Sequence, residues 1–154
     1  MRRRNQRGLT LVELIVAFTI MLILTTMAVP LARSKVRAER ERELRHALDE
    51  MRYSIDKYKD YADAGLFGPI KQGTNGYPES LEQLVEGVKL AGPKDQKQRF
   101  LRRIPRDPFT GNSDWGLRSD QDDPKSMSWG GQNVFDVYSK TYEKAPDGKP
   151  YSEW

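Results

Sequence analysis

The chain has 154 residues, with 26 Lys and Arg against 22 Asp and Glu, one His and no Cys, a length suited to one domain. The lack of cysteine excludes a disulfide framework and any thiolate metal site. The net charge of +4 does not mark a nucleic-acid face: Arg2, Arg3, Arg4 and Arg7 carry all of it, and from residue 9 onward 22 basic side chains balance 22 acidic ones, so no nucleic-acid partner is expected.

Residues 1–8 form a basic leader. From Leu9 to Leu31 the only charged residue is Glu13. At about 1.5 Å per residue a helix over this run is about 34 Å long, enough to cross a hydrocarbon layer of about 30 Å. Four arginines before an apolar run also open secretory signals, but those have apolar regions of about 7–15 residues and a small-residue cleavage site. Here the run is longer, and Ala28 is followed by Val29-Pro30, a poor ending of that kind. A simple single-pass anchor explains the run but not Glu13, because a carboxylate in lipid is costly unless it is protonated, paired or close enough to reach the headgroups. Glu13 stands about one turn from the helix start, so reaching the headgroups is the plain alternative to a charged partner. The leading arginines favour a cytoplasmic N-terminus, with the polar remainder outside; Arg33, Lys35 and Arg37 at the far end reduce that asymmetry.

The stretch "RGLTLVELIVAFTIMLILTTMAVP" resembles the class III signal of type IV pilins and type II secretion pseudopilins. The resemblance implies cleavage by a prepilin peptidase between Gly8 and Leu9, with the apolar segment retained and the new amine at Leu9 methylated. It places Glu13 fifth and Pro30 twenty-second in the mature chain, both used in filament assembly. Leu9 departs from the Phe that most often begins the mature family chain. The same resemblance gives Glu13 a partner: in a bundle of staggered helices the Leu9 amine of one subunit approaches Glu13 of its neighbour, and each charge meets its opposite.

Beyond Pro30, which as a proline would kink a helix or mark the membrane exit, Leu44, Ala47, Leu48, Met51, Ile55, Tyr58 and Ala62 recur at spacings of three and four. This predicts an amphipathic continuation over 32–63. Glu41 and Arg45 suit an i,i+4 pair on a charged, solvated face. Gly65 and Gly68-Pro69 stop the helix, so one helix from Leu9 to about Asp63, roughly 80 Å long, is expected. Residues 64–154 form a small globular head.

In the head, "YPESLEQLVEG" predicts a short helix with Pro78 in its first turn, Gly87 as its stop, and Leu81, Leu84 and Val85 facing the long helix. Pro105, Pro108 and Gly111-Asn112 signal turns. Short strands are expected at Trp115–Arg118 and in the alternating run Val134–Ser139. Trp115, Phe135, Val137 and Tyr138 are core or core-edge candidates, with Trp129 and Trp154 behind them.

"FLRRIPRDPFTGNSDWGL", "WGGQNVFDVYSK" and "APDGKPYSEW" are similar to the C-terminal region of the type II secretion major pseudopilins, the G-type. That likeness implies Ca²⁺ binding in the loop after the second strand. Calcium wants six to eight oxygens. After Ser139 the chain offers only Glu143, Asp147 and Glu153, while its densest acidic group, Asp120, Asp122 and Asp123, lies in another loop; all of these also suit solvated turns. His46 falls among charged residues on the long helix, Asp107 and Asp147 sit in turn contexts, and no phosphate loop, zinc spacing or nucleophile motif appears, so no enzyme is expected.

The expected fold is α+β and pilin-like: a long N-terminal helix, transmembrane in its first half and amphipathic in its second, on a small antiparallel sheet. The expected function is that of a structural subunit of a type II secretion pseudopilus. It would polymerise through its N-terminal helices in the periplasm from a single-pass inner-membrane precursor, with other pseudopilins, the prepilin peptidase and an inner-membrane assembly platform as partners. A type IV pilin of a surface filament is the alternative of the same kind. A membrane-tethered binding domain using Trp115 and Trp129 is the alternative of another kind.

Overall fold

The computed structural model describes residues 10–92 and 96–154, without the side chains of 27–32. Its first element, α1, runs Leu11–Asp63. The chain divides into two compact units between residues 39 and 40. In the first unit α1 is the only element among the described residues.

The second unit holds the remainder of α1 and every other element: α2 (Leu81–Glu86), β1 (Val88–Lys89), β2 (Lys97–Gln98), β3 (Gly116–Arg118), β4 (Asp136–Tyr138) and a 3₁₀ turn, Tyr151–Glu153. The strands form two separate antiparallel pairs. β1 pairs with β2 through Val88↔Gln98, and β3 pairs with β4 in the register Gly116↔Tyr138, Leu117↔Val137 and Arg118↔Asp136. The architecture is α+β, a long helix with small antiparallel sheets, and agrees with a pilin-like fold.

The apolar stripe of α1 does what its spacing predicts. Leu44, Ala47, Leu48, Met51, Ile55, Tyr58 and Ala62 are all buried, and all but Ala62 join one core with Leu81, Leu84, Leu101, Trp115, Val134, Val137, Ala145 and Tyr151. Each large aliphatic side chain fully buried there contributes about 1.5–3 kcal/mol. Polar groups on the same face are matched: the buried Ser54 hydroxyl lies 2.8 Å from Glu50 O and 3.1 Å from Phe100 O. The helix ends at Asp63, two residues before Gly65 takes the left-handed conformation.

Short elements follow from local chemistry. Ser80 caps α2, its side chain accepting from the Gln83 N–H, and Gly87 closes it with φ 79°. Pro78 therefore lies before the cap rather than in the first turn. Its carbonyl instead accepts the Val134 N–H at 2.7 Å, which ties the approach to α2 to the approach to β4. Leu84 O accepts from both Phe100 and Leu101 N–H at 3.0 Å, so α2 also anchors the segment after β2.

The strand readings need two corrections. Of Val134–Ser139 only Asp136–Tyr138 is strand, and burial does not alternate, since Val137, Tyr138 and Ser139 are all buried. Phe135 is 46% exposed, its ring set edge-on to Tyr77 at 5.2 Å, so it is no core residue. Trp115, Val137 and Tyr138 are buried as expected. Trp154 packs partly buried against the core, whereas Trp129 is exposed with its indole N–H donated to Asn133 O at 2.7 Å.

Candidate functional site

Gly8 and Leu9, the expected cleavage pair and methylation position, lie outside the described residues. Thr10 stands just before α1. Its Oγ1 accepts the Glu13 N–H at 3.3 Å, and its carbonyl accepts the Leu14 N–H at 3.1 Å. Thr10-Leu11-Val12-Glu13 is thus the Thr-x-x-Glu pattern with which many helices begin. Glu13 is the acidic residue of the first turn, where unpaired N–H groups favour negative charge by about 0.3–1 kcal/mol. This term is absent from the sequence reading, although the pattern that signals it was legible. It is smaller than the cost of a lone carboxylate in lipid, about 2.5 kcal/mol or more, so in lipid the cap would not by itself offset that cost, which contact with the headgroups or a charged partner would have to meet. Among the described residues no side chain supplies one.

Around and after Glu13 the helix surface is apolar on all sides. Leu11, Val12, Leu14, Ile15, Val16, Phe18, Ile20, Met21, Leu22, Ile23 and Leu24 are each between 47% and 75% exposed, and at 100° per residue they leave no polar face. A helix of this kind needs lipid or other helices around it. Its hydroxyls are already satisfied: Thr19, Thr25 and Thr26 donate to Ile15 O, Met21 O and Ile23 O at 2.7–2.8 Å, the arrangement an apolar surround demands. Among the described residues no helix is long and apolar enough to cross a membrane; the expected span Leu9–Leu31 includes Leu9 and side chains of 27–31 that lie outside them. Pro30 falls within the bounds of α1, with its side chain likewise outside the described set.

Asp120, Asp122, Asp123 and Asp147, weighed for calcium, are engaged with the chain itself. Asp120 accepts from Asn133 Nδ2 at 2.8 Å and Asn75 Nδ2 at 2.6 Å. Asp122 accepts the Ser119 and Gly130 N–H groups at 2.7 and 3.0 Å, and these backbone hydrogen bonds hold its carboxyl below the usual carboxylate range. Asp123 accepts the Lys125 N–H at 2.8 Å, and Asp147 the Lys149 N–H at 3.0 Å. Among the described residues no three acidic or histidine side chains converge as a metal would need. These residues do not fit a calcium cradle. Asp107 likewise builds a turn: its Oδ1 accepts the Phe109 N–H at 2.8 Å and its Oδ2 the Ser139 hydroxyl at 2.5 Å. His46 is exposed on α1.

Two arginines that the sequence reading did not single out hold the head together. Arg52 Nε and Arg118 Nη1 bind the two oxygens of Asp136 at 2.8 and 3.3 Å. Arg52 Nη2 also reaches Trp154 O at 2.7 Å and Val137 O at 3.3 Å. Arg118 donates to Ser126 O at 2.9 Å and Ser152 O at 3.1 Å, with its guanidinium 4.1 Å above the Tyr138 ring. Glu41 and Arg45, read as a helical pair, both reach the C-terminal turn: Glu41 accepts the Tyr151 hydroxyl, and Arg45 lies over the Trp154 ring at 4.2 Å.

The family described as the prokaryotic N-terminal methylation motif matches residues 3–29, the segment that holds Gly8, Leu9 and Glu13. The type II secretion system core protein G of Klebsiella michiganensis is 28% identical over 151 residues, covering 95% of this chain and 90% of that protein. No solved structure matches significantly. The chain thus carries a prokaryotic N-terminal methylation motif, at the head of a sequence similar over nearly its whole length to a type II secretion core protein G.

Proposed function

We propose that the protein is a structural subunit of a type II secretion pseudopilus, built to polymerise in the periplasm and assist export of folded proteins across the outer membrane. The observation that carries this reading is the apolar surface of the first part of α1, exposed on every side and headed by Glu13. Such a surface is stable only in lipid or among helices of its own kind. The methylation motif on the same residues and the similarity to core protein G support the second environment as its destination. In this scheme residues 1–8 are removed by a prepilin peptidase, Leu9 is methylated, and the precursor crosses the inner membrane once with its N-terminus in the cytoplasm. The Leu9 amine of one subunit then meets Glu13 of the next. The part played is structural, and the partners are further copies, other pseudopilins and the inner-membrane assembly platform.

Intact-mass measurement of the protein from native membranes tests the scheme. The expected mass lacks residues 1–8 and carries one methyl group on Leu9. A polypeptide that still begins at Met1 in cells possessing the peptidase would exclude it.

A further inference from the structure

Arg52, Asp136 and Arg118 form a three-member ionic cluster that spans most of the second unit. Arg52 comes from α1, Arg118 from β3 and Asp136 from β4. Through the remaining guanidinium N–H groups the cluster also grips Ser126 O in the loop after β3, Val137 O in β4, and Ser152 O and Trp154 O at the C-terminal turn. Arg118 is the most enclosed member, its side chain 7% exposed against 24% for Asp136 and 34% for Arg52. Tyr138 roofs it, and the Tyr138 hydroxyl donates to Met127 O at 2.9 Å, closing the same loop from the other side.

Gathering a carboxylate and several carbonyl oxygens from separate loops is what a hard divalent cation does. Here those oxygens are already taken by N–H donors. Two guanidinium groups on one carboxylate also leave the cluster with a net positive charge, which repels a cation. Outside the cluster, the side chains of Asp120, Asp122 and Asp123, the densest acidic group, are turned to backbone N–H groups and asparagine amides. We propose that the Arg52–Asp136–Arg118 cluster does for this head what a bound divalent cation would do, so that the folded head neither requires nor takes up calcium.

The test uses the full chain in detergent micelles, unfolded thermally in EGTA and in excess CaCl₂, with terbium luminescence as a second probe of cation binding. The expected result is a Tm that agrees between the two buffers to within about 1 °C, because a ligand that does not bind the native state cannot shift it. No saturable terbium signal is expected. A rise of about 10 °C in calcium, the size a well-occupied site produces in a domain of this size, or a saturable terbium signal displaced by calcium, overturns the proposal. Arg118→Met should lower Tm by about 10 °C or more, equally in both buffers, since it strips donors from partly buried acceptors. An unchanged Tm would also overturn the proposal. Should Arg118→Met fail to fold, Arg118→Lys keeps the charge without the fork and should show a smaller loss, again equal in both buffers. The calcium and terbium titrations of the unaltered chain decide the question without any variant, and none of these readouts depends on filament formation.

Discussion

The hydroxyl of Tyr151 donates to Glu41 Oε1 at 2.7 Å, so the C-terminal turn is fastened to α1. The Tyr151 ring is fully buried, stacked on Phe109 with centroids 4.2 Å apart and edge-on to Trp154 at 4.8 Å. Tyr151→Phe keeps the ring and deletes the donor, for an expected loss of about 1 kcal/mol, more if the carboxylate is left without compensation. Tyr151→Ala removes the ring as well and should cost about 3–5 kcal/mol. Urea unfolding of the two variants measures both steps. Equal losses would mean that the hydroxyl, not the ring, dominates.

Gly87 ends α2 at φ 79° and ψ 168°, a region essentially confined to glycine. A Cβ there would stand 2.4 Å from Gln98 O and 2.8 Å from Arg99 Cγ. The first of these is backbone that β1 needs for its pairing with β2. Gly87→Ala therefore combines strain with a collision and should destabilise the fold by about 3 kcal/mol. A urea midpoint equal to that of the parent would show that the turn can be rebuilt at little cost.

The helical half of the fold was legible because its signal is local. Spacings of three and four residues from Leu44 to Ala62 pick out one face of a helix, and that face is buried in full. Gly65 and Gly87 were legible as stops for the same reason. Phe135 misled because alternation implies a two-faced strand, whereas β4 has three residues and the core closes over its C-terminal end. β1 and β2, of two residues each, are set by Leu84 O and the turn at Gly87 rather than by their own sequence. The Arg52–Asp136 and Arg118–Ser152 contacts join residues 84 and 34 positions apart. In sequence these arginines are indistinguishable from the solvated charges around them. At the N-terminus Glu13 is legible as an anomaly, while its hydrogen-bonded turn with Thr10 is a short capping pattern submerged in a long apolar run.

The loop after β3 should respond to acid through Asp122. Hydrogen bonds from the Ser119 and Gly130 N–H groups lower its pKa below the ordinary 3.8, so the folded form favours the ionised carboxylate. That contribution is fully present above the unfolded value and is lost as pH falls through the depressed folded value. Protection of the Ser119 and Gly130 amides against exchange, relative to their intrinsic rates, should therefore persist at neutral pH and be lost as pH falls below 3.8. Asp122→Asn should raise exchange at both amides at neutral pH and flatten the acid response. Identical exchange profiles in parent and variant would remove Asp122 as the anchor of this loop.

Glu13 is where the chain's structure and its proposed assembly meet, and the two possible benefits of its charge can be separated. Thr10→Val deletes the hydroxyl that accepts the Glu13 N–H but leaves the carboxylate, so it should weaken the first turn by about 1 kcal/mol and leave filaments largely intact. Glu13→Ala removes the carboxylate and leaves a neighbour's ammonium without its opposite charge, a loss of about 3 kcal/mol or more in a low-dielectric surround. Filament yield should then fall on the order of a hundredfold or more, with the precursor still membrane-bound and still processed at Gly8. The head has its own core, in which Glu13 takes no part, so its Tm should not move. Immunoblots of filaments released from the periplasm by spheroplasting against membrane-retained subunit, with mass measurement of the retained pool, give all of these readings from one culture. Abundant filaments from Glu13→Ala would show that the ammonium finds its partner elsewhere, and a fall with Thr10→Val equal to that with Glu13→Ala would assign the effect to the helix cap instead.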